Sequence, residues 1–264
     1  MFDIIKTGEL NIREIFATSF NAYKAKFGLL LLYSTIITAI IIAAEFTTFY
    51  LGFQLRISPA GFGTLNLTPF LINTFTAGTQ SLVTTVLVLK LMQQESFSQK
   101  DILSAYKLFP KFVLTVIIAG FFFVLILLPA YFAITDFGRT GSPLFHLSVL
   151  FLLAVSFYAG VVFIFYINVL AHTGRWGLYT FLQSRRLVKG RWGKTFLVIL
   201  ILLLTNSIGM AVFGFVINLV SALMALPAVI EFAAMNVLFG YLNMYFLITI
   251  SVWYFNRHAL THQG

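Results

Sequence analysis

Long apolar runs without a single Asp, Glu, Lys or Arg dominate the chain. Phe27 to Ala44 is the first, interrupted by Glu45 and continued to Leu55. Ile57 to Leu89 is the second, entered through the Gly/Pro-rich stretch Ser58-Pro59-Ala60-Gly61-Phe62-Gly63-Thr64. Phe112 to Thr135, Thr140 to Gly174, Thr195 to Ile230 and Phe232 to Asn256 complete the series. About 20 apolar residues in a helix cross the roughly 30 Å of bilayer hydrocarbon, so every run is long enough. The fifth exceeds one straight helix; its helix is expected to end near Ser221, with Met224 to Pro227 as the turn. The runs are continuous rather than alternating with period two, which excludes a β-barrel. The pattern therefore predicts an all-α polytopic membrane bundle of six transmembrane helices.

The polar segments ahead of the first, third and fifth runs resemble one another. Lys24, Lys107 and Lys189 recur at offsets of 83 and 82 residues. Lys24 to Gly28 and Lys189 to Gly193 both read Lys-x-basic-aromatic-Gly, whereas the second segment carries Pro110 at the aromatic position. Each segment opens on a pattern like a capping box: Asn11 with Glu14, Ser98 with Asp101, and Thr180 with Gln183. In the first segment Ile12, Ile15, Phe16, Phe20, Tyr23 and Phe27 fall at helical spacing. Such a helix, basic toward its membrane-proximal end, is expected to lie in the headgroup layer. The repeat unit is then an interfacial amphipathic helix, a span outward, a short external loop and a span back. Three units, about 9–92, 98–172 and 176–257, make one integral membrane domain over 1–264.

Composition and charge sharpen this picture. The chain is 60% hydrophobic and 9% charged, against about 25% charged in an average soluble domain. It has no cysteine, which removes disulfides, thiolate metal sites and a Cys nucleophile. Of 17 Lys and Arg, only Arg56 and Arg139 fall in the loops after the first and third spans. The rest lie on the opposite side, which the positive-inside bias places in the cytoplasm together with both termini. The net charge of +9 follows from this asymmetry, and no soluble module suited to nucleic acid is present. The first 26 residues are amphipathic and lack the apolar core of a signal peptide. Lys24, Lys26, Lys107, Lys111, Arg185, Arg186, Lys189, Arg191 and Lys194 form a candidate face for anionic lipid headgroups or a membrane-protein partner. Each basic residue near an anionic surface contributes about 1 kcal/mol. The same residues also serve as topology signals, and the two roles are compatible.

Phe20-x-x-Tyr23-Lys24-x-Lys26-Phe27-Gly28 and the stretch from Ser184 through Arg185-Arg186-Leu187-Val188-Lys189-Gly190-Arg191-Trp192-Gly193 to Lys194 resemble a broad bacterial group. These are six-span membrane proteins related to the membrane domain fused to some glycerophosphodiester phosphodiesterases. The resemblance implies a membrane module in the bacterial cytoplasmic membrane. It brings no catalytic residues, because the soluble phosphodiesterase domain has no counterpart here.

The chain's own chemistry is sparse. Asp3, Glu9, Glu14, Glu95 and Asp101 sit near basic residues and read as solvated surface charges. His258 and His262 fall in a tail, His146 near an external interface and His172 at a helix end. No phosphate-binding Gly-rich loop, nucleophile elbow or H-E-x-x-H appears. No catalytic, cofactor or metal residue is assigned, and the chain reads as a non-enzyme. Glu45 and Glu231 stand out because ionisable groups inside spans are functional candidates. Glu45 lies 18 residues past Phe27, about 27 Å along a helix and so near the external interface. The two carboxylates either reach outward or pair with Arg56 or Arg139, or else they share a polar site with Asn236 and Asn243. Asn73, Gln80, Asn168, Asn206 and Asn218 are further amides within the runs, read as interhelical hydrogen bonds or as a polar path. The expected function is a scaffold, assembly or regulatory module. The alternative is a transporter or lipid-handling protein.

Overall fold

The computed structural model describes residues 8–50, 56–57, 65–66, 68–92, 99–121, 143–224 and 228–261. Helix α1 (Ile12–Ala25) leads into α2 (Phe27–Tyr50) with one break at Lys26. A two-residue antiparallel pair, β1 (Arg56–Ile57) with β2 (Leu65–Asn66), sets Arg56 opposite Asn66 ahead of α3 (Thr68–Met92). Next come α4 (Gln99–Tyr106) and α5 (109–121), then α6 (Pro143–Val162) and α7 (Tyr166–Thr173). The short α8 (Leu178–Val188) precedes two long helices, α9 (Trp192–Met224) and α10 (Ala228–Thr261). Apart from the β pair, the described elements are all helical.

Among the described residues, four helical stretches are long and apolar enough to cross a membrane: Lys100–Phe121, His146–Thr173, Trp192–Met224 and Ala233–Thr261. Gly78–Leu91 is a shorter apolar helix. Helix α9 continues three residues past Ser221, so Met224 is helical and the rest of the expected turn lies outside the described residues.

Local chemistry explains the helix ends. Glu14 N donates to the Asn11 side chain at 2.9 Å, and Asn11 N donates to Glu14 Oε2 at 2.7 Å, so the first expected capping box forms. Ser98 lies outside the described residues. The third box does not form. Gly177, at φ 71°, starts α8 three residues before the expected cap, in a backbone region that glycine reaches without penalty. Thr180 therefore sits inside the first turn, its hydroxyl donating to Gly177 O at 2.7 Å, and Gln183 donates to the Tyr179 hydroxyl. Gly174 ends α7 in the left-handed conformation, its N–H returning to Leu170 O.

Helix α10 is the post around which the rest is arranged. It packs against α1, α2, α3, α8 and α9, and every residue from Ile248 to Arg257 is buried. Helix α1 lies lengthwise along it. Leu10 N donates to Asn256 Oδ1, while the Tyr23 hydroxyl donates to Tyr241 O. Those two α10 positions are 15 residues apart, about 22 Å at 1.5 Å per residue, the length of α1 itself. The apolar face of α1 expected from its periodicity is thus covered in part by α10. Ile15 and Ala22 are fully buried, while Phe20 and Phe27 stay exposed.

The run from Thr140 to Gly174 is not one straight helix either. It breaks at residues 163–165, and Ser184 of α8 fills the break. The Ser184 hydroxyl donates to Val162 O at 2.8 Å and accepts from Phe165 N at 3.1 Å.

Gly78 of α3 sits where α5 comes closest. A Cβ there would overlap the buried Phe112 ring, so only glycine permits this approach, as small residues do in membrane helix pairs. Gly78→Ala is expected to cost about 1–3 kcal/mol, as overpacking does, read as a lowered melting temperature in detergent. Adding Phe112→Leu should recover part of that loss; simple additivity of the two substitutions would contradict the contact.

Candidate functional site

The two span carboxylates have different surroundings. Glu231 accepts a hydrogen bond from Ser221 Oγ at 2.9 Å, which ties α10 to α9. The Glu45 side chain lies outside the described residues, as do the side chains of Arg56 and Asn73 and the whole of Asp3, Glu95, Arg139 and His262. The helices that carry Glu45 and Glu231, α2 and α10, pack on one another. Asn243 donates to Gln80 Oε1 at 3.0 Å, joining α10 to α3. Asn236 is half-buried one face-repeat earlier on α10, and Asn218 is exposed on α9. Asn206 Oδ1 is buried with no hydrogen bond among the described residues.

The basic residues divide into engaged and unengaged groups. Arg191 donates to both Glu9 oxygens, with Nη2 to Oε2 at 2.8 Å, and Lys194 donates to Glu9 Oε1 at 2.8 Å. Lys194 also bonds Leu10 O and lies over the Trp253 ring, 5.0 Å from its centroid. Lys111 donates to Gly174 O at 2.9 Å. These three basic residues are therefore committed inside the fold. The side chains of Lys24, Lys26, Lys107, Arg185, Arg186 and Lys189 make no ion pair or hydrogen bond among the described residues. Hydrogen bonds from Lys194 and then Arg191 hold the Glu9 carboxyl below the usual carboxylate range.

Near its C-terminus, α10 spends its polar groups one by one on different neighbours. Ser251 Oγ accepts from Asn168 of α7 at 2.8 Å. Trp253 Nε1 donates to Thr195 of α9 at 3.2 Å. Tyr254 and His172 share a hydrogen bond of 3.0 Å. Asn256 donates to Gly8 O at 2.7 Å, and Arg257, 9% exposed, donates to Leu187 O at 3.1 Å. The His258 ring centroid is 4.7 Å from that of His172. The expected frayed tail at His258 is thus packed helix, held by aromatic contacts from α7. Among the described residues, no cluster of three metal-ligating side chains forms.

A cavity of about 580 Å³ lies beside this post. Its wall is apolar, with Val116 and Ala119 from α5, Ala159 and Gly160 from α6, and Phe181 and Leu182 from α8. One side is polar: Ser81 and Thr85 of α3, Asn168, and Ser251. Asn168 Nδ2 donates to Thr85 Oγ1 at 3.0 Å as well as to Ser251, and Thr85 donates to Ser81 O at 2.8 Å. Arg185 also lines the cavity, and the exposed Leu178 and Leu182 stand at its rim. Sequence reading found Asn168 and Arg185 separately but not their convergence. The signal within reach was the polar pair Ser81 and Thr85, one helical turn apart inside an apolar run.

No family model, no curated protein and no solved structure matches this chain.

The Glu9 clamp has a defined pH dependence. A carboxyl whose pKa is lowered on folding contributes fully above its ordinary value, 4.5 for Glu, and loses that contribution as pH falls through the folded value. Glu9→Gln should lower the melting temperature at neutral pH and flatten part of its decline in acid. Melts of both proteins from neutral to strongly acidic pH check this, and an unchanged neutral melting temperature would show that the clamp adds no stability.

Proposed function

We propose that the chain is a six-span protein of the bacterial cytoplasmic membrane with both termini in the cytoplasm. It acts as a non-enzymatic scaffold, assembly or regulatory module through its basic end. Its spans are α2, α3, the helix that begins with α5, α6 with α7, α9, and α10. Helices α2, α3 and α6 have 24, 25 and 20 residues, and about 20 suffice for a crossing. Three units of a leading helix and two spans account for the chain order. The family resemblance in the basic–aromatic boxes supports the same reading.

One observation carries the functional part. Among the described residues, the carboxylates of the basic end are engaged internally: Glu9 by Arg191 and Lys194, Glu14 by the Asn11 backbone, and Asp101 near Lys90 at 3.8 Å. Lys24, Lys26, Lys107, Arg185, Arg186 and Lys189 remain without internal partners among the described residues. Their charge is available to anionic headgroups or to an acidic surface of a membrane-protein partner. The cavity beside Asn168 favours a second reading, lipid handling, and moves it away from Glu231, which Ser221 already occupies.

The absence of cysteine makes the topology directly testable. Single cysteines at Ser58, Ser142 and Ala225 should react with a membrane-impermeant maleimide on intact cells. Those at Ser98, Gly190 and Gln263 should react only after permeabilisation. Labelling of both sets from outside, or a reversed pattern, would overturn the six-span, termini-inside arrangement. Neutralising Lys24, Lys107 and Lys189 together should reduce the anionic lipid or the partner recovered with the purified protein, and unchanged recovery would overturn the basic-face reading.

A further inference from the structure

We propose that the cavity beside Asn168 binds one anionic phospholipid, with an acyl chain against the apolar wall and the phosphate on Arg185. This rests on the membrane placement proposed above but not on the scaffold role. Three observations point to that occupant.

The cavity, at about 580 Å³, falls within the usual range of ligand sites, roughly 300–1,000 Å³, and shares their mostly apolar lining with few polar groups. Arg185 is one of the lining residues, and its side chain has no internal acceptor among the described residues. A guanidinium presents a planar fork that fits a phosphate at two points. The engaged basic residues nearby, Lys111 and Arg191, show that the fold satisfies such groups where it has acceptors to offer. The third observation is the polar side. Asn168 uses both amide hydrogens on Thr85 and Ser251, and its Oδ1 accepts no hydrogen bond among the described residues. Tyr166 is also a lining residue, and its hydroxyl has no hydrogen-bond partner among them either.

An apolar slot, a free acceptor, a free hydroxyl and an unpaired guanidinium match the parts of one molecule: an acyl chain, a headgroup hydroxyl, an ester carbonyl and a phosphate. A neutral amphiphile would leave Arg185 without a counter-charge. Free phosphate would leave the apolar wall uncovered. The exposed leucines at the rim, Leu178 at 54% and Leu182 at 58%, are suited to contact the rest of the lipid.

The test uses the full chain in detergent, titrated with dioleoyl phosphatidylglycerol or dioleoyl phosphatidylcholine and read by native mass spectrometry. The parent protein should hold one phosphatidylglycerol in preference to phosphatidylcholine. Arg185→Gln should weaken phosphatidylglycerol binding about tenfold or more, the effect of losing one charge-assisted hydrogen bond, and leave phosphatidylcholine unchanged. Gly160→Trp should abolish the bound lipid. A Cβ at Gly160 meets nothing within 4 Å, and an unchanged melting temperature confirms folding. Arg186→Gln, one residue along and not on the lining, is the control. Equal loss from Arg185→Gln and Arg186→Gln would overturn the site in favour of a diffuse basic surface. Retention of the lipid by Gly160→Trp would overturn it outright. A reversed cysteine-labelling pattern would instead refute the membrane orientation, a result independent of either variant.

Discussion

The structure depends on burying the C-terminal third of α10 on every side. A helix with only one covered face can turn its polar residues outward. The stretch from Ile248 to Arg257 has no outward face. Its Ser251, Trp253, Tyr254, Asn256 and Arg257 must each find a partner inside, because an unsatisfied buried polar group costs about 1–3 kcal/mol. Between them they find partners on four parts of the chain: α7 twice, α9, the segment before α1, and α8. Five polar residues on one helix thereby position four other elements. Apolar packing alone is non-directional and would leave those elements free to rotate or slide.

The charge distribution follows from this arrangement. The segment before α1 that bonds Asn256 is also met by Arg191 and Lys194 at the start of α9. Glu9 pairs with both, and Lys194 further caps Leu10 O while lying over Trp253. Among the described residues, the acidic groups at this end are thus engaged within the chain, whereas many of the basic groups are not. The unpaired positive charge among the described residues at this end is thus a by-product of how the fold closes.

The helical class was legible because it rests on composition and run length, which need no tertiary information. The details that failed are those where a distant residue decides a local outcome. Nothing in Val162-Phe163-Ile164-Phe165 marks a helix break; Ser184, about twenty residues on, supplies the hydrogen bonds that stabilise it. Thr180 looked like a cap because its neighbours fit the pattern, but Gly177 starts the helix first. His258 read as tail because its partner, His172, is 86 residues away. Arg257 is buried and donates to Leu187 O, a partner 70 residues away that its local sequence does not reveal. The amphipathic α1 was seen correctly as one-faced, yet periodicity cannot say whether the covering surface is lipid or another helix.

The same distinction bears on where function resides. Glu45 and Glu231 attracted notice because a carboxylate in a span is rare and costly. Rarity marks a residue that needs an explanation, and for Glu231 Ser221 supplies one. Serine, threonine and asparagine in a span are common and individually unremarkable, worth about 0.6 kcal/mol per interhelical hydrogen bond on average. Ser81, Thr85, Asn168 and Ser251 matter because three helices bring them to one wall of a cavity also lined by Arg185, whose side chain has no ion-pair partner among the described residues. A hydrogen-bonded wall of that kind holds α3, α7 and α10 at fixed separation, which keeps the space next to it open. The network that joins these helices also borders the cavity, and this shared position makes the convergence of ordinary polar residues a stronger functional pointer than an isolated charge.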